Sequence, residues 1–310
     1  MITKIFSKSR PVHLVISNLL VVISFVFAFV FKKGLHSFSE TKAIYLILPL
    51  ILFSIFLTDF IAKRNHINKN DDYAILLYTL FLFLIPGVFL ELSVVLSSVF
   101  ILLALRRLVS LQSHVEVKQK IFDASLWVGV ASIFEFWSIL FFALIFIAVI
   151  IHVSNDFKNW IIPFLGFFAV LIVFVLYALI FDFDLLDTIQ DQMIIDFNFN
   201  YIIDLFYVIP TAVLLSFLFI ALFFQVMAVS SYLAIMQNTI KIIIAMLLIG
   251  VIVYLFSAEK HDGLWLYCFA PLAIIGSNFI SAIKKNWIKE GVVTVLLLLA
   301  VYSFWQFLIS

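Results

Sequence analysis

A chain of 310 residues could fold as one or two soluble domains, yet 65% of this one is hydrophobic and only 12% is charged. Ordinary soluble domains carry about 25% charge, so the composition and a mean hydropathy of +1.24 exclude that class. The net charge of +1 gives no reason to expect nucleic acid as a partner. One integral membrane domain over residues 1–310 is expected, all-α, because the apolar runs have the length of a spanning helix, about 20 residues.

Taken in order, the runs predict a polytopic transmembrane helical bundle of about eleven spans. The amino terminus, MITKIFSKSR, puts basic residues before a first span near Pro11–Phe31, a run too long for a signal-peptide core. The second span lies near Ile44–Ala62. The third runs from Tyr73 to Pro86-Gly87, where a missing amide donor and a permissive glycine suit a turn. The fourth is near Leu90–Leu105 and leads into a basic loop with Arg106 and Arg107. There Ser113-His114-Val115-Glu116 reads as a capping box, so a short interfacial helix is expected to begin at Ser113. The fifth span starts near Asp123 and the sixth covers Trp137–His152, with almost no linker between them. Five more follow near Ile161–Phe181, Leu205–Met227, Ile242–Phe256, Leu264–Ile280 and Val292–Leu308.

Charge gives the orientation. With the amino terminus inside, the inner side holds Lys4, Lys8, Arg10, Lys63, Arg64, Lys69, Arg106, Arg107, Lys118, Lys120, Lys158, Lys241, Lys284, Lys285 and Lys289. The outer side holds Lys32, Lys33, Lys42 and Lys260. That balance predicts the amino terminus inside and the carboxyl terminus outside. It also puts the acidic link 182–204 outside, with Asp184, Asp187 and Asp191 on one helical face and Leu186, Ile189 and Met193 opposite. A short amphipathic helix on the outer membrane surface follows.

Ionisable residues in spans are the first candidates for chemistry, because hydrocarbon makes them costly. Asp59 is expected to pair with Lys63 one turn on, and Asp123 either caps the fifth span or pairs with Arg106 or Arg107. Glu91 and Glu135 fall at outer span ends with no basic neighbour in sequence. With Glu40 of the first outer link they form a candidate set of outward catalytic acids. Arg106, Arg107, Lys118 and Lys120 make an inner basic strip suited to anionic headgroups or an acidic partner. The six histidines lack ligand spacing and Cys268 stands alone, so no metal and no cofactor are expected. All four arginines are on the inner side, which argues against enzymes that handle pyrophosphate-linked glycans outside.

The segments LALRRLVSLQS, KIFDASLWVGVASIFEFWSILF and NDFKNWIIPFLGFF resemble an uncharacterised family of multi-span inner-membrane proteins of flavobacteria and other Bacteroidota. The Asp123–His152 hairpin, followed by a basic turn and a Pro/Gly-bearing span, is more distantly similar to C-type membrane glycosyltransferases that use polyprenyl-phosphate sugars. Those enzymes place acidic catalytic residues in a larger first outer loop, where this chain has only Glu40.

The resulting expectation is a multi-pass protein of a bacterial inner membrane, in cell-envelope biogenesis, with a glycosyltransferase-like helical arrangement, either catalytic or without catalysis. Membrane lipids, a polyprenyl-linked glycan or other lipidic substrate, and other membrane proteins are its expected partners. Two alternatives stand beside it: a transporter or channel for a small or lipidic solute, and a non-catalytic scaffold docking partners through its inner basic loop.

Overall fold

Apolar side chains in hydrocarbon leave the backbone no partner but itself, so each long apolar run closes its own hydrogen bonds as a helix. The computed structural model describes residues 2–33, 42–65, 67–68, 71–181, 192–193, 205–257 and 260–309. Its helices are α1 (Ile2–Phe6), α2 (Pro11–Lys33), α3 (Lys42–Arg64), α4 (Tyr73–Leu84), α5 (Leu92–Val109) and α6 (Val117–Phe134), then α7 (Phe142–His152), α8 (Lys158–Ile180), α9 (Leu205–Ala228), α10 (Ala234–Phe256), α11 (Leu266–Ala282) and α12 (Asn286–Ile309). Among the described residues there is no strand.

Among the described residues, 8 helices are long and apolar enough to cross a membrane, fewer than the about eleven spans expected from apolar runs of spanning length. The difference falls on α4, α6 and α7. α4 has 12 residues and α7 has 11, because each shares its apolar run with a 3₁₀ turn, Pro86–Leu90 after α4 and Phe136–Phe141 before α7. α6 carries Lys118, Lys120 and Asp123 in its first two turns. The Pro86-Gly87 turn stands where the sequence placed it, with Ile85 leaving helical geometry just before the proline.

Contacts between helix ends show the chain direction alternating. At one end, called the basic end, the Gln112 amide meets Thr239, Asp71 meets Ser277 and Ser281, and Lys118 meets Asp156. At the opposite end Trp137 packs tilted against Phe256, and the Pro86–Leu90 turn packs on the turn Asp262–Trp265.

The centre is a helix pair. Every residue of α4 except Phe83 is buried, as expected of a helix apolar all round. Buried residues make up 94% of the apolar stretch at Asp262–Ala282 but 22% of that at Lys158–Ile180, so α11 is central and α8 peripheral. Leu77, Tyr78 and Phe81 of α4 and Phe269 of α11 fill the space between, with Phe269 edge-on to Tyr78. The two tyrosine hydroxyls buried here have partners: Tyr78 shares a bond with Ser54 at 2.9 Å, and Tyr267 donates to Ser97 at 2.7 Å. The carbonyl of Leu84, orphaned where α4 stops, accepts from Ser303 of α12 at 2.6 Å.

α6 and α8 run parallel and touch through small residues. A methyl group on Gly166 would lie 1.9 Å from the Ser125 hydroxyl oxygen and 2.9 Å from the Phe122 carbonyl oxygen. One turn further on, Gly129 faces Val170. This is how helices approach when the surrounding lipid is as apolar as their own side chains.

Two expectations change or fall away. α6 begins at Val117, not Ser113, because His114 and Glu116 take left-handed backbone conformations at φ 53° and 51°. Ser113 instead accepts from the Val115 amide and the Lys120 amine, so the capping box is not formed. The acidic link 182–204 lies outside the described residues apart from Gln192 and Met193.

Candidate functional site

The last turns of α3 and α5 and the first turn of α6 meet at the basic end. Helices that finish at an interface favour cations there, since the carbonyl end of each helix is partially negative. α3 contributes Phe60, Ile61 and Arg64, α5 contributes Arg106 and Arg107, and Ser110 and Lys120 complete a cavity of about 270 Å³. Asn65 closes one side, accepting from the Gln112 amide at 2.8 Å.

The charges in this pocket are unequally answered. Arg107 pairs with Asp123 at 3.0 Å. Arg106 lies over the Phe60 ring, 5.1 Å from its centroid, and both Arg106 and Arg64 are exposed with no carboxylate in ion-pair reach among the described residues. Lys120 donates to the Ser110 carbonyl at 2.8 Å and to the Ser113 hydroxyl at 2.7 Å, which leaves one of an ammonium's three protons for another acceptor. The left-handed backbone at His114 and Glu116 folds the loop back far enough for those bonds. Such conformations cost about 1–3 kcal/mol each and persist where surrounding structure over-determines them.

Four cations therefore converge on a small cavity, and among the described residues one ion pair, Arg107 with Asp123, answers them. Two planar guanidinium forks without an ion-pair partner suit phosphate or carboxylate oxygens. The volume is below the roughly 300–1,000 Å³ of sites for drug-sized ligands and fits a headgroup.

A second network braces the same end. Asp72, wholly buried, accepts from the His13 ring nitrogen at 2.7 Å, Lys63 at 2.8 Å, the Arg10 amide at 2.8 Å and the Ser9 hydroxyl at 3.0 Å. Burial works to raise the Asp72 carboxyl, but Lys63, the Arg10 amide and His13 outweigh it and hold the group below the usual carboxylate range. Lys63 also bonds Asp59 at 2.9 Å, the i,i+4 pair expected from the sequence. The Asp72 amide donates to the Phe6 carbonyl, and the Tyr73 hydroxyl to the Thr3 carbonyl, so α1 is tied beneath the bundle.

The structure distributes the sequence candidates unevenly. Arg106, Arg107 and Lys120 come together in the pocket, whereas Lys118 points away to Asp156 at 3.5 Å. Glu40 lies outside the described residues. Glu91 and Glu135 are at the opposite end, at the start of α5 and the close of α6. Glu91 packs against Gly263 of the Asp262–Trp265 turn, while Asp262 packs against Gly87. Glu135 lies within electrostatic reach of Tyr267. Sequence reading missed Arg64 as a pocket residue and Asp262 as the neighbour of the Pro86–Leu90 turn. Arg64 carried a signal, being one of two cations closing a span beside an acid, but it spoke only of topology.

A family model described as a family of unknown function, DUF6427, matches residues 1–309. The chain belongs to that family. No curated protein and no solved structure matches it. DUF6427 membership carries no activity, bacterial group or likeness to glycosyltransferases with it. What this member can do is argued from its own site.

Proposed function

We propose that this protein is a multi-pass scaffold of a bacterial inner membrane, acting in the cell envelope, that holds a phosphate-bearing anion in the pocket of Arg64, Arg106, Arg107 and Lys120. The observation that carries the reading is the imbalance of charge there. Four cations surround a headgroup-sized space, and among the described residues the one carboxylate that forms an ion pair with any of them is Asp123, on Arg107. An anion would relieve their mutual repulsion and use the free guanidinium forks.

In this proposal the basic end faces the cytoplasm and the chain crosses eleven times. The cation balance across the two sides supports that orientation. The crossing number is supported by reach: at 1.5 Å per α-helical and about 2.0 Å per 3₁₀ residue, Tyr73–Leu90 and Phe136–His152 each extend about 28 Å, against a hydrocarbon core of about 30 Å. The apolar filling between α4 and α11 favours a scaffold over a transporter, which needs a polar path. Glycosyl transfer would need Glu40, Glu91 or Glu135 as working acids, and Glu91 is instead packed against Gly263 of the facing turn.

Two measurements test the reading. Cys268 is buried, so single cysteines introduced at His114 and Ser154 report sidedness; both are expected to label from the cytoplasmic side only. Glycerol phosphate, a soluble headgroup mimic, is expected to raise the melting temperature of the detergent-solubilised protein, and Arg106→Gln with Arg107→Gln is expected to abolish the rise. An equal rise in the double variant would overturn the proposal.

A further inference from the structure

Further along α6, which supplies Lys120 to the pocket, α6 and α8 open a groove on the surface of the bundle. It is lined by Leu126, Val130 and Ile133 of α6 and Val170, Val173 and Tyr177 of α8, and it encloses about 630 Å³. Every one of those side chains is apolar or aromatic, and Val173 and Tyr177 are more than half exposed. The groove exists because Gly166 and Gly129 bring the two helix backbones together on one side, so that the larger residues on the neighbouring faces stand apart.

Position relates groove and pocket. Asp123, Leu126, Val130 and Ile133 recur at helical spacing, so they share one face of α6. Asp123 is the residue that meets Arg107 in the pocket. The apolar stripe thus starts one helical turn beyond the carboxylate that pairs with Arg107 and continues along α6 toward the opposite end. From Asp123 to Ile133 the helix rises about 15 Å, the length of much of one acyl chain and half of the hydrocarbon core.

Resting on the phosphate-binding reading above, we infer that the ligand is a membrane phospholipid with an anionic headgroup, its phosphate among Arg64, Arg106, Arg107 and Lys120 and one acyl chain in the groove between α6 and α8. A free phosphate would use the cations but has nothing to place against Val130 and Val173. A zwitterionic lipid would fill the groove but bring a cationic group toward the arginines. Only an anionic lipid answers both parts, with charge complementarity at one end and van der Waals packing of the chain along the groove at the other.

The protein is reconstituted in nanodiscs of phosphatidylcholine and titrated with spin-labelled phosphatidylglycerol or spin-labelled phosphatidylcholine, reading the immobilised fraction. Glycerol phosphate binding in detergent is measured beside it. Wild type is expected to immobilise phosphatidylglycerol at least tenfold more strongly than phosphatidylcholine. Val130→Trp, which fills the groove from the lipid-facing surface, is expected to lower that preference at least fivefold while leaving glycerol phosphate binding unchanged. Val173→Trp, from the other wall, is expected to act alike and guards against misfolding of either variant. If both tryptophan variants keep the wild-type preference while Arg106→Gln loses it, the pocket reading stands and the lipid inference is overturned. If Arg106→Gln loses neither lipid nor glycerol phosphate, the pocket reading itself fails.

Discussion

Gly263 lies so close to Glu91 that a methyl group in its place would sit 2.9 Å from the Glu91 Cγ and 2.9 Å from the His261 Nδ1. The relation is reciprocal: a methyl on Gly87 would lie 3.1 Å from the Asp262 Cβ. Each turn gives up a side chain where the other brings an acid, and the two turns close the end of the bundle opposite the pocket. Gly263→Ala is expected to cost about 1–3 kcal/mol, as overpacking does, and Gly87→Ala less. Thermal unfolding in detergent checks the order; a larger loss for Gly87→Ala would contradict the geometry.

Asp72 makes a sharper test because its carboxylate is enclosed by partners. Asp72→Ala leaves Lys63 and His13 without their buried acceptor and is expected to destabilise by about 3–5 kcal/mol. The sign with pH follows from the lowered carboxyl. A carboxyl titrating lower in the folded than in the unfolded chain adds stability above its unfolded value near pH 4, and loses it as pH falls through the folded value. The difference in melting temperature between wild type and Asp72→Asn is therefore expected to be full at neutral pH and to shrink below about pH 4. A gap that widens in acid would refute the assignment.

At the α6–α8 contact, Gly166→Val places branched carbon against the Ser125 hydroxyl and the Phe122 carbonyl. The backbone oxygen cannot step aside, so a loss at or above the top of the usual range of about 1–3 kcal/mol is expected. Ser125→Gly in the same chain is expected to return only part of it. Full recovery would mean that the side chain alone sets the helix spacing.

Ser303→Ala tests the end of α4. It strands the Leu84 carbonyl in an apolar interior, which costs about 1–3 kcal/mol, whereas Ser303→Thr keeps the donor. Equal melting temperatures for the alanine and threonine variants would mean that another donor serves Leu84.

Local features were legible before any coordinates. The apolar runs, the Pro86-Gly87 turn, the Asp59–Lys63 pair and the two partners offered for Asp123 all depend on residues a few positions apart, and periodicity reports that range. The helix count was harder. Tyr73–Leu90 and Phe136–His152 each divide between α-helix and 3₁₀ turn, and hydropathy does not see where a helix changes its winding. Partners distant in sequence were invisible: Asp72 with His13, Gly87 with Asp262 and Arg64 with Arg106 meet only because antiparallel legs return to the same level. α6 adds its own obstacle, with apolar residues all round, so its spacing names no inward face.

The burial of α11 has a consequence for synthesis. A chain is made from its amino terminus onward, and α11 leaves the ribosome after α1–α10. Until then Tyr78 and Phe81 lack the Phe269 ring, Ser97 lacks Tyr267, and Asp71 lacks Ser277 and Ser281. The earlier helices must wait in the bilayer around a vacancy in their middle, and the molecule is completed from its periphery inward.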